Sequence, residues 1–149
     1  YAKAQATLEA SHVLVALVKN PREVEGWAKP YIKSFDTSPQ IFPASTCLVF
    51  NAAPFPIAVY LIGREPIVIP ALGHTYLKDL KADEYGAVPY RVTMKIGSKT
   101  EHIGDGALRS SDDGRHYIFT FVDPRKGAKK RGDMVIFSER TPEIVVPVK

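Results

Sequence analysis

From Pro89 onward the chain alternates apolar and polar residues. Tyr90, Val92, Met94 and Ile96 take one parity and Arg91, Thr93 and Lys95 the other, which is the period of a strand with one buried and one wet face. In residues 116–137, two apolar runs, HYIFTFV and MVIF, flank a polar segment. That pattern predicts a β-hairpin with two buried strands and a charged tip. TCLVF (46–50) reads as a buried strand. IAVYLI (57–62) and IVI (Ile67–Ile69) read as two short strands joined by the turn-forming Gly63-Arg64-Glu65-Pro66. Asp105-Gly106 and Asp113-Gly114 mark further turns. Pro147 suits 144–148 to a terminal edge strand.

The first third of the chain reads differently. Ala2, Ala4, Ala6 and Ala10, with Leu8 and Glu9, favour a helix. The run VLVALV (Val13–Val18) has the β-branched content of a strand, but its continuity with the Ala-rich segment favours a buried helix end. Asn20-Pro21-Arg22-Glu23 combines an N-cap residue, a first-turn proline and a Glu three residues after the cap. A second helix is expected from there to about Lys29. Residues 34–45 form a Pro-bearing connector, and 70–85 a short surface helix or extended loop. The expected fold is α+β: an N-terminal helical pair (1–33) packed on a mainly antiparallel, meander-like sheet (46–149), in a single domain spanning 1–149.

Composition narrows the class of protein. With 149 residues, 45% apolar and 24% charged, the chain is long enough for a real core and ordinary for a globular domain. Beginning at Tyr1, it reads as a mature product or an excised domain. Apolar runs such as Val13–Val18 fall far short of the roughly 20 residues of a membrane-spanning helix. The single cysteine, Cys47, excludes an intrachain disulfide and a Cys-rich zinc site. It reads as a buried structural thiol, since no neighbouring cation lowers its pKa.

Charge singles out the hairpin. Of the net +4, a balance of +3 falls in residues 123–133, where Arg125, Lys126, Lys129, Lys130 and Arg131 outnumber Asp123 and Asp133. A cationic loop of this kind attracts phosphates without regard to base sequence. It contains no aromatic residue, so a stacking platform would have to come from Tyr117, Phe119 or Phe121, which otherwise read as core. Arg131-Gly132-Asp133 lies at the foot of the loop rather than its apex and reads as a chance tripeptide.

The densest cluster of catalytic residue types is Arg109, Asp112, Asp113, Arg115 and His116. A histidine beside carboxylates and arginines suits acid–base cleavage of a phosphodiester without metal; the structural alternative is a polar turn. No pair of histidines has metal-binding spacing. Gly104-Asp105-Gly106 lacks the rest of a dinucleotide loop, so no cofactor is expected. The sequence thus favours a non-catalytic binding domain contacting an anionic partner, nucleic acid foremost, through the basic loop. A small ribonuclease-like hydrolase using the His/Asp/Arg cluster is the rival. A structural subunit of an assembly, with the hairpin and 144–148 as interface edges, is the third reading.

Overall fold

The structure, a computed structural model, describes residues 10–19, 30–123 and 131–143. Ten strands run through these residues: β1 (Val13–Val18), β2 (Tyr31–Asp36), β3 (Cys47–Asn51), β4 (Ile57–Leu61), β5 (Ile67–Ile69), β6 (His74–Leu77), β7 (Ala87–Ile96), β8 (Lys99–Arg109), β9 (Gly114–Val122) and β10 (Gly132–Arg140). The chain divides into two compact units, one comprising residues 1–43 and 141–149 and the other 44–140.

No helix occurs among the described residues, so the expected α+β class and its helical pair are overturned in favour of an all-β fold. Val13–Val18 is a strand, paired antiparallel with Tyr31–Asp36. Val13, Val15 and Leu17 are exposed while Leu14, Ala16 and Val18 are half-buried. That period of two, with its β-branched residues, won over continuity with the alanines. The second expected helix, from Asn20 to Lys29, lies outside the described residues; the chain that follows it, Tyr31–Asp36, is strand β2. A hydrogen bond from Thr37 N to His12 O at 2.9 Å extends the β1–β2 pairing beyond Val13 and Asp36. Ser38 follows, its amide donating to Asp36 Oδ1 at 2.9 Å in a local Asx turn.

The larger unit holds two four-stranded sheets, ordered β10-β9-β3-β6 and β5-β4-β7-β8. They face one another across a shared core. The first sheet supplies Cys47, Val49, Leu77 and Ile118, and the second supplies Ile57, Val59, Ile69, Val88, Val92, Met94 and Leu108. This is a β-sandwich, in which each strand turns alternate residues inward. A meander is also overturned. The chain passes between the sheets after β3, β5, β6 and β8, and β3 lies parallel to β9, with Cys47 opposite His116 and Val49 opposite Ile118. Pro54 and Pro56 occupy the first of these passages, where ladder donors are not needed. The stretch 70–85, expected as helix or loop, supplies strand β6.

One buried polar side chain ties the two sheets together. Asn51, at the end of β3, is fully buried. Its amide nitrogen donates to the carbonyls of Phe55 (2.8 Å), Ile69 (3.3 Å) and Pro70 (2.9 Å). Its oxygen accepts from Ala53 N and from Thr120 Oγ1, both at 3.1 Å. The amide's donor and acceptor capacity is thus used in full, as burial requires.

Candidate anion-binding surface

The hairpin expected around residues 116–137 is present and longer than its apolar runs. Gly114–Val122 pairs antiparallel with Gly132–Arg140, from Gly132 opposite Val122 to Arg140 opposite Gly114. Only β9 is a buried strand; β10 is an edge, with Val135 and Phe137 exposed. Where the ladder ends, Asp123 N donates to Arg131 O at 3.0 Å. Arg125, Lys126, Lys129 and Lys130 lie outside the described residues, in the segment joining these two positions; Arg131 is described and exposed.

The foot of the hairpin is packed against β8. A Cβ on Gly132 would stand 2.2 Å from Ile103 Cγ2, and one on Gly104 would stand 1.9 Å from Met134 Cε. Glycine is what lets β10 and β8 approach so closely. The Gly132 amide also donates to Glu101 Oε1 at 2.9 Å.

The Arg109–His116 cluster is not brought together. His116 is inward-facing on β9 and 4% exposed. Its Nε2 donates to the Arg109 carbonyl at 2.9 Å, which leaves Nδ1 to accept from Ser138 Oγ at 2.7 Å. Burial holds its pKa below the ordinary value, opposed in part by the Arg109 hydrogen bond. Arg115 is the next residue along and points to the opposite face, where it is 2% exposed. Its Nε and terminal nitrogen lie 2.8 and 2.6 Å from Glu139 Oε1, which also accepts from the Tyr117 hydroxyl. Burial first, and then that hydrogen bond, push the Tyr117 pKa up. Arg109 and Asp112 are exposed, and Asp113 lies 3.3 Å from Arg140 in an exposed ion pair. His116 thus has both ring nitrogens engaged and faces away from Arg115.

Tyr117, expected as core, is buried and Phe119 is half-buried, both on the face of the first sheet turned away from the second. Tyr117 stacks on Phe137 with ring centroids 4.4 Å apart, and Phe119 meets Phe50 and Phe137 edge-on. Cys47 is in the core as expected, and burial pushes its thiol up to about 12. Among the described residues, no group of three His, Cys, Asp or Glu side chains is placed to hold a metal ion. No helix long and apolar enough to cross a membrane occurs among the described residues.

The outer face of the second sheet was not singled out by sequence reasoning. Arg91, Thr93 and Lys95 line the outer face of β7, with Tyr60 opposite Arg91 on one side and Asp105 opposite it on the other. A recess of about 610 Å³ is lined by Tyr60, Ile62, Pro89, Arg91, Thr93 and Asp105. It adjoins one of about 180 Å³ lined by Tyr60, Val68, Thr93, Lys95 and Thr100. The signal was present in the alternation of β7, but Tyr60 lies some thirty residues earlier in a run that reads as uniformly buried. Only the β4–β7 register puts the aromatic ring beside the cations.

Comparison of this chain with protein-family models, with curated proteins and with solved structures finds no match.

Proposed function

We propose that this chain is a non-catalytic binding domain. Its β9–β10 hairpin presents a cationic segment to a polyanion, nucleic acid foremost. The observation that carries the reading is the closure of the hairpin by the Asp123–Arg131 hydrogen bond at 3.0 Å. The segment spanning that closure contains Arg125, Lys126, Lys129 and Lys130 and no acidic residue. Cations confined between two anchored positions neutralise neighbouring phosphates and release their counterions, which gives affinity without base specificity. A hydrolytic role for Arg109, Asp112, Asp113, Arg115 and His116 draws no support from their placement. The test is fluorescence anisotropy with a labelled oligonucleotide at low salt. Lys129→Glu with Lys130→Glu should weaken binding at least about tenfold, since two attractive charges become repulsive. Unchanged affinity overturns the proposal.

A further inference from the structure

The outer face of the second sheet is open where the first sheet's outer face is largely closed. On the first sheet Leu48, Phe50, Arg115 and Tyr117 are buried. On the second, Tyr60 is 39%, Ile62 74% and Val68 68% exposed, and Arg91 and Lys95 are exposed beside them. The two recesses share Tyr60 and Thr93, so they form one groove running along β7.

The groove is cationic. Arg91 and Lys95 lie within it, and Arg109 is further along the same face of the sheet. The one carboxylate among its lining residues, Asp105, is 2.7 Å from His102 Nε2. Arg91 has no salt-bridge partner among the described residues. Lys95 lies four positions along the strand from Arg91, about 13 Å, enough for each to meet a different phosphate of an extended strand. Tyr60, opposite Arg91 in register and lining both recesses, offers an aromatic ring at the surface.

From this arrangement we infer that the groove is a track for single-stranded nucleic acid, with Tyr60 stacking on an unpaired base and Arg91 and Lys95 holding phosphates along the groove. The inference rests on the polyanion-binding reading and adds to it the class of partner. A duplex hides its base faces in its own stack, whereas an unpaired strand offers them to an aromatic side chain. The Lys95–Thr100 end of the groove lies next to Glu101, whose carboxylate holds Gly132 at the foot of the basic hairpin.

The test uses labelled oligothymidine and a duplex of equal length with the full chain. Tyr60→Ala should weaken oligothymidine binding about tenfold while leaving duplex binding within about twofold. Tyr60→Phe, which keeps the ring, should bind like the parent. Arg91→Glu should weaken the single strand and lower its salt dependence. Both sites are exposed, and matching thermal unfolding curves confirm that the fold is kept. Oligothymidine affinity within about twofold of the parent for both Tyr60→Ala and Arg91→Glu overturns the track. If Lys129→Glu with Lys130→Glu still weakens binding in that case, the loop reading stands without the groove. If neither set of variants changes affinity, both fall. A parent that prefers the duplex overturns the single-strand assignment.

Discussion

Replacing Asn51 by alanine tests whether the sandwich that carries the basic hairpin depends on one buried amide. The side chain makes five hydrogen bonds, three donated to carbonyls and two accepted. A buried bond contributes about 1 kcal/mol net, and a buried partner left unsatisfied costs about 1–3 kcal/mol. The Phe55 and Pro70 carbonyls belong to residues that keep some exposure and can regain water. The Ala53 amide and the Thr120 hydroxyl belong to buried residues, and the Ile69 bond, at 3.3 Å, is the longest of the set. The loss should therefore be about 3 kcal/mol, short of the full sum. With an m-value of roughly 2 kcal/mol/M, the urea midpoint of the larger unit falls by about 1.5 M. Asn51→Asp should cost at least as much, because a carboxylate cannot donate to three carbonyls. Thr120→Val removes one of the same bonds and should cost about 1 kcal/mol; paired with Asn51→Ala the losses should be less than additive. The assay is equilibrium urea unfolding followed by far-UV circular dichroism. A loss for Asn51→Ala below about 1 kcal/mol refutes the claim that this amide joins the sheets.

Three further outcomes follow from the packing. Because His116 is held neutral below its ordinary pKa of 6.5, the unfolded chain binds the extra proton first. Stability should fall as pH drops below that value and level off beneath the folded pKa; comparing urea midpoints with those of His116→Gln isolates this residue, and equal pH dependence in both refutes it. Gly132→Ala should lower the melting temperature by at least about 3 °C, since a methyl 2.2 Å from the branched Ile103 side chain cannot be accommodated without a shift of strand β10. Gly104→Ala should cost less, because the atom it meets is the mobile end of Met134; an equal loss in both contradicts the argument. Cys47, with its thiol pushed up to about 12, should resist a disulfide reagent until the protein unfolds, and rapid labelling of the native state would show the thiol to be accessible.

Much of the β architecture was legible in the sequence because its signals are local. The alternation of β7, the turn at 63–66 between β4 and β5, and the hairpin of β9 and β10 follow from periodicity and turn residues. The N-terminal segment was misread because helix propensity spread from the alanines into VLVALV, whose pairing with Tyr31–Asp36 is a tertiary fact. The parallel neighbour β3–β9 joins residues some seventy positions apart, which no local pattern encodes. The candidate site divides in the same way. The cationic loop is a run of charge in the sequence. The grouping of Arg109, Asp112, Asp113, Arg115 and His116 was proximity along the chain, and strand geometry sends Arg115 and His116 to opposite faces. The groove is the reverse case, with Tyr60, Arg91 and Asp105 distant in sequence and adjacent in register.

The most direct test of the polyanion-binding account is the salt dependence of binding. Association constants for oligothymidine should be measured over a range of salt concentrations for the parent chain and for Lys129→Glu with Lys130→Glu. If the loop lysines contact phosphates, a plot of log K against log salt should be steep for the parent. Its slope should be shallower by about 1.4 in the variant, at about 0.7 per phosphate contact on a single strand. Equal slopes for the two proteins would contradict the account.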